Sequence, residues 1–505
     1  MSNLARKILE NTFSQVFGRI ITAILAVIII KMLTGYLGES GYGKYGSIFE
    51  FLAFFGVLAD FGIFTISIRE MSKNQKMEKK IFENAFFLRI IFGVLAMILA
   101  AIIGFLITKF RLAKMSIGIS IAAASTFFVI LTGTISTILQ IRLKMQIVAI
   151  ANIIGKFFSL LLIITIIFVA FKQPSEASFN LIIFSGTIGA IISFLITAFF
   201  VRKIFPLKPK FSKKVSKKIL RESLPFAIAL ALHTAYFRVD ILLLNFLLPI
   251  SNAGNCWQNF CADIEAGKYL VAARVLEIFL LIPIFFGNSI LPEMSRRIEK
   301  KNINTTKGFF ENCINFILAI SFSISIFVFF FAPQIIEIIS NNNFLANEKS
   351  FGSDTALKIF AIFTPAAFFS MLLGFFLIAV GEQKKLILTN FLATFLNIIG
   401  NFWAITRIGF FGAALVSLFC EFFLLIIIFY FAVKNPFFSL ERNKIIKILL
   451  VNLFAGIFLF LFKKTLNFNN IFLEVFLSGV FFVGFLFFIF WKLQIINTKM
   501  LKFKN

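Results

Sequence analysis

Charge is scarce in this sequence. Charged residues make up 14% of the chain, against about 25% in a soluble globular domain. With 60% hydrophobic residues and a mean hydropathy of +0.96, there is too little polar surface to coat a soluble fold. There is one histidine and there are four cysteines. They form no cluster with metal-ligand spacing, and no nucleophile stands in a motif with a base. No Gly-rich loop ends in Lys-Ser or Lys-Thr, so no ATPase phosphate cradle is built in. These absences leave the expected catalytic, metal and cofactor sets empty. Acidic residues are the rarer charge, 23 against 50 Lys and Arg, for a net charge of +27. That excess is dispersed among the loops rather than gathered into a phosphate-tracking patch, so nucleic acid is not an expected partner.

What is present is a succession of apolar runs of about 20 residues, the length that crosses a bilayer. They fall at 12–33, 47–68, 85–108, 115–139, 147–171 and 179–201, then at 224–248, 269–291, 313–332, 355–380, 386–405, 412–432, 445–462 and 471–491. The polar start runs straight into the first of them, with no cleavable leader. Long runs without alternation argue against a β-barrel. The expected fold is an all-α integral membrane protein of about fourteen helices. Alternate loops carry roughly three times as many Lys and Arg as the others, which puts both termini in the cytoplasm. The longest basic stretch, Arg202 to Arg221, holds Pro206, Pro209 and six lysines from Lys208 to Lys218. It reads as a solvated linker near anionic headgroups.

Short matches repeat around that linker. Lys7-Ile8-Leu9 precedes the first span and Lys218-Ile219-Leu220 the seventh; Gly43-Lys44-Tyr45 opens the second span and Gly267-Lys268-Tyr269 the eighth. An even number of spans in each unit makes the expected repeats parallel. The expected division is residues 1–203 as a six-helix lobe, 204–221 as the linker, 222–433 as a second six-helix lobe, and 434–505 as two extra helices and a tail. The second unit carries an insertion around Ser251 to Asp263, with Cys256 and Cys261 as a candidate disulfide on the non-cytoplasmic side; two free thiols are the alternative.

Charges inside a membrane are costly and mark function by default, at about 2.5–3.5 kcal/mol each on insertion scales. Here they are Arg19, Glu50, Asp60, Arg89 and Lys156 in the first unit, then His233, Arg238, Asp240, Arg274, Glu277 and Glu421. Most lie on the first two helices of each unit, and Glu50 and Arg274 each follow a Gly-Lys-Tyr by the same number of residues. The expected cavity set is therefore Arg19, Arg238, Arg274 and Glu50, with Asp60, Asp240 and Glu277 as candidates for a coupling ion. Plainer readings stand beside these. Arg238 and Asp240, two apart, do not share a helix face and would pair with other helices. Arg274 and Glu277 have the spacing of a local ion pair. Arg89 and Lys156 have stems long enough to snorkel, and His233 reads as a helix-contact residue.

Several of these stretches resemble a known family. Leu37-Gly38-Glu39-Ser40-Gly41-Tyr42-Gly43-Lys44-Tyr45 resembles the glycine–tyrosine turn of polysaccharide and O-antigen flippases, and Leu58-Ala59-Asp60-Phe61-Gly62 is similar to the end of their second helix. Phe237-Arg238-Val239-Asp240, Gly267-Lys268-Tyr269 and Ala272-Ala273-Arg274 are similar to their seventh and eighth helices. Gly381, Asn390, Asn397, Gly409-Phe410-Phe411-Gly412-Ala413-Ala414 and Glu421 follow in order, so the resemblance spans roughly Ala5 to Val433; the Cys256–Cys261 stretch departs from it. It implies the multidrug/oligosaccharidyl-lipid/polysaccharide exporter superfamily, with two six-helix lobes that rock about a central cavity without ATP. The expected activity is transfer of polyprenyl-diphosphate-linked oligosaccharide across the cytoplasmic membrane, coupled to a Na⁺ or H⁺ gradient where one is used. A cation-coupled exporter of small organic molecules is the alternative. Expected partners are the lipid-linked glycan, membrane lipids, and a polysaccharide polymerase or glycosyltransferases.

Overall fold

The structure is a computed structural model that describes residues 3–492 except 74, 252–259, 301, 349 and 466–469. It is an all-α membrane protein. Among the described residues, twelve helices are long and apolar enough to cross a bilayer. The chain divides into two compact units, Met1–Gly267 and Lys268–Asn505.

The first unit opens with α1 (Asn3–Asp60), a helix of 58 residues. At 1.5 Å per residue that is about 87 Å, against a hydrocarbon core of about 30 Å. The spans expected at 12–33 and 47–68 therefore fall on the two helical stretches that meet at a kink within α1. Within the turn expected at Leu37 to Tyr45, the helix breaks at Gly38 (φ 67°, ψ −172°), and two helical stretches meet there. Glycine alone reaches that conformation cheaply, and the flanking helical bonds keep the backbone satisfied. The second span also stops earlier than expected. Phe61 and Gly62 turn left-handed after Asp60 (φ 46° and 70°), and the amphipathic α2 (Ile63–Lys73) follows, burying Ile63, Ile66 and Met71.

Next come α3 (Glu78–Leu106), the short α4 (Thr108–Leu112), α5 (Ser116–Ile141) and α6 (Gln146–Thr165), the last extended by one π turn, Ile166–Ala170. α7 (Glu176–Arg202) begins with a reciprocal capping box between Ser175 and Ser178, which satisfies two otherwise orphaned amides. α8 (Lys213–Leu247) packs on α1, α2 and α3. Lys109 of α4 donates to the carbonyls of Phe246 and Leu248 at its end, a favourable place for a cation. Burial there pushes the Lys109 ammonium below the usual lysine range. α9 (Ala262–Glu299) starts in this unit and continues into the second.

The second unit adds α10 (Ile303–Ile339), α11 (Ser353–Ala379), α12 (Gln383–Val433), α13 (Arg442–Thr465) and α14 (Ile471–Lys492). α12 joins the spans expected at 386–405 and 412–432 into one 51-residue helix bent at Ile408 and Gly409 (φ 58°, ψ −143°). α13 and α14 pack on α10 around Phe331, Ile448, Leu459 and Phe482, and Ser323 of α10 donates to Asn452 of α13 at 2.9 Å.

Large apolar side chains also cover the outside: Leu95, Leu106, Phe168 and Phe487 are among the most exposed. Such a surface is stable only against lipid. Apolar burial drives little association where the solvent is itself apolar, so close packing and internal hydrogen bonds hold the helices together. Hydroxyls are accordingly bonded back to carbonyls one turn earlier, as in Thr34 to Ile30 and Thr197 to Ser193, both 2.8 Å.

Candidate transport site

In the first unit, α1 beyond its kink and α8 lie side by side and are joined by polar side chains inside apolar helices. Arg238 donates through Nη1 to Glu50, forming an ion pair. One turn away on α1 and two on α8, Asn245 donates to Ser47 at 2.8 Å and to the carbonyl of Ile241 at 2.7 Å. The Glu50 side chain is 2% exposed and that of Arg238 is 32% exposed. The carboxylate is thus sealed into the helix contact while the guanidinium remains partly open. Asp240 is buried on another face of α8, and His233 packs its ring against Phe237, 4.9 Å between centroids. Arg19 is exposed on the first half of α1.

A second pair holds α1 to α3. Arg89 was expected to reach for the interface. It is instead 4% exposed and ion-paired with Asp60, because α3 carries it deep against α1, where only a carboxylate offsets its desolvation. Its Nε and Nη1 have no hydrogen-bond partner, and its guanidinium lies 5.8 Å from the Phe64 ring centroid. Asp60, a candidate for ion coupling, is thereby bonded to arginine.

A third cluster was not anticipated. Asp263, at the start of α9, accepts from Ser40 and from the amide and hydroxyl of Ser251 (3.1 and 2.5 Å), with Lys44 Nζ 3.6 Å away. The two Gly-Lys-Tyr motifs lie against one another here. A Cβ on Gly43 would strike the carbonyl of Asp263, and one on Gly267 would strike that of Glu39. The signal was in the sequence, since each glycine has an acidic residue four positions before it.

In the second unit Arg274 donates to Glu277 at 2.6 Å, the local i,i+3 pair that their spacing allowed, and both are partly exposed. Glu421 is buried and accepts from Ser370 at 2.6 Å; Tyr269 meets Ser417 at 3.2 Å, and Asn401 donates to Asn397 at 3.0 Å. Cys313 and Cys420 are buried and not in disulfides, Cys261 is buried, and Cys256 lies outside the described residues. Among the described residues no group of three His, Cys, Asp or Glu could hold a metal ion. Chemically, the arrangement suits binding of a charged group by anchored arginine.

A family model described as "Polysaccharide biosynthesis protein" matches residues 8–298, and one described as MatE matches residues 266–403. No curated protein matches significantly. Among solved structures, the fold is similar to that of the lipid II flippase MurJ in its inward closed conformation. That likeness has a TM-score of 0.72 at 16% identity and covers 96% of this chain and 99% of the other. It is also similar to an inward-facing multidrug resistance MATE family transporter of the MOP superfamily, at TM-score 0.62 and 14% identity over 84% and 94%. A MOP superfamily transporter from Pyrococcus furiosus gives 0.55 and 13% over 84% and 94%. At these identities the likeness is one of fold. The first family model covers more than half of the sequence, and the chain therefore belongs to the polysaccharide biosynthesis protein family.

Proposed function

We propose that this protein is a flippase that moves polyprenyl-diphosphate-linked oligosaccharide from the cytoplasmic to the outer leaflet. The observation that carries this reading is Arg238. An arginine one third exposed inside an apolar helix is costly to keep, and Glu50 holds it in place through one of its five N–H donors. The remaining donors suit bidentate capture of a diphosphate. Family membership and the likeness to a lipid II flippase support the same substrate class.

In this reading α1 and α12, each long enough for two crossings, make fourteen crossings with both termini cytoplasmic. Lobes at 1–203 and 222–433 rock to give alternating access, with Arg19 and Arg274 as further substrate-binding candidates, 204–221 as the linker and 434–505 as an appended pair of helices and tail. Asp240 and Glu277 are the carboxylates offered to a coupling Na⁺ or H⁺, while Asp60 serves the fold. Polymerase and glycosyltransferases act on either side of the step.

The test is leaflet-resolved analysis of lipid-linked glycan in a strain lacking the protein. Completed glycan trapped on the cytoplasmic face, rescued by the native chain and by Arg238→Lys in part but not by Arg238→Ala, supports the flippase. Normal display of the glycan argues against it. The MatE match and the buried carboxylates Asp240 and Glu421 favour a second reading, a cation-coupled exporter of organic molecules. That reading predicts drug hypersensitivity of the same strain with glycan display intact.

A further inference from the structure

We propose that the groove between α3 and the first turns of α8 binds an anionic glycerophospholipid of the leaflet facing the basic linker. The groove is a cavity of about 570 Å³, within the range of about 300–1,000 Å³ that small-molecule sites occupy. Its surface is apolar, with Leu88, Phe92 and Leu224 in it, and Lys213, Lys217 and Arg221 border it with their aliphatic stems. These three stand four residues apart and so line one face of α8.

Their place along the groove sets them apart from the other basic residues of the linker. Around them, the cations turned toward the protein are matched: Lys210 with Glu83 at 3.5 Å, Lys218 with Glu70 at 2.7 Å, and Arg69 with Glu222 at 2.5 Å. Lys213, Lys217 and Arg221 make no ion pair among the described residues. Three unmatched cations on a single helical face call for phosphate. The apolar wall decides which phosphate. A soluble anion gains nothing from Phe211 and Leu224, 61% and 49% exposed beside the cations, whereas an acyl chain covers them while its headgroup sits on the basic face. The site is also separate from the proposed transport site. Arg221 and Arg238 are 17 residues apart on α8, about 25 Å at 1.5 Å per residue, so a resident membrane lipid fits the groove better than the transported one. Bound there, the lipid ties α8 and the linker to α3 and makes transport depend on anionic lipid content.

The test measures binding of dioleoylphosphatidylglycerol and dioleoylphosphatidylcholine to the full-length purified protein by native mass spectrometry. Helical content and melting temperature are measured for each variant. The triple variant Lys213→Gln, Lys217→Gln, Arg221→Gln is expected to bind phosphatidylglycerol at least about tenfold more weakly. Lys203→Gln, Lys208→Gln, Lys214→Gln, with the same charge loss outside the groove, is expected to stay within about threefold. Leu224→Trp narrows the groove without changing charge and is expected to weaken binding as the first triple does. Equal losses in both triples would reduce the site to diffuse surface attraction and overturn the proposal, as would phosphatidylcholine binding as well as phosphatidylglycerol or native affinity in Leu224→Trp. Displacement of phosphatidylglycerol by polyprenyl diphosphate at lower concentration would also overturn it, by assigning the groove to the transported lipid.

Discussion

Removing Arg238 and removing Glu50 should have unequal consequences, because the two partners are buried to different depths. Arg238→Met leaves the Glu50 carboxylate, 2% exposed, without its cation. The expected loss of stability is about 3 kcal/mol, from the cost of an uncompensated charge inside a membrane protein. Glu50→Gln leaves a guanidinium that is already 32% exposed and that still has an amide oxygen to donate to, so the expected loss is about 1 kcal/mol. The double variant Glu50→Gln, Arg238→Met removes both charges, and its expected loss is again about 1 kcal/mol, far below the sum of the singles. The assay is reversible unfolding in mixed micelles followed by circular dichroism, with a melting scan as a second readout. Equal losses in the two single variants, or a double variant equal to their sum, would show that the pair is not buried as the structure has it. The transport readout separates the roles further: Glu50→Gln should keep measurable transport if Glu50 only positions Arg238, whereas Arg238→Met should abolish it.

Other expectations rest on backbone contacts and on the remaining polar clusters. Gly43→Ala drives a Cβ into the carbonyl of Asp263, which cannot rotate away as a side chain could, so a loss of about 1–3 kcal/mol is expected in the same unfolding assay. Asp60→Asn leaves Arg89 buried with a neutral partner and should cost about 3 kcal/mol; Asp60→Asn combined with Arg89→Met should recover most of it. Gly409→Ala forces a Cβ onto a residue with φ 58° and should cost about 1–2 kcal/mol, seen as a lower melting temperature.

Much of the helical plan was legible in the sequence. Lipid allows a spanning chain only helix or closed barrel, so hydropathy found the helices directly. It did not show how the helices on either side of Gly38 and Gly409 meet, because the backbone angles of a glycine between two apolar runs depend on the packing around it. The charged residues were also visible as exceptions to the apolar pattern, and Arg274 with Glu277 was legible as a pair because helical spacing alone brings them together. Asp263 was overlooked. It stood at the edge of an insertion read as loop, and its partners Ser40 and Lys44 are more than 200 residues away in sequence.

The sequence by itself determined that the chain lives in lipid, where its helices lie and which of them carry charge, since each of these follows from local composition. Which charges meet was decided only by tertiary structure: Glu50 with Arg238, Asp60 with Arg89, Asp263 with Ser40 and Lys44. The physical reason is rotational. A helix that is apolar all round carries no stripe to say which face turns inward. The direction of each buried charge is therefore set by close packing against neighbouring helices, and local composition does not encode it.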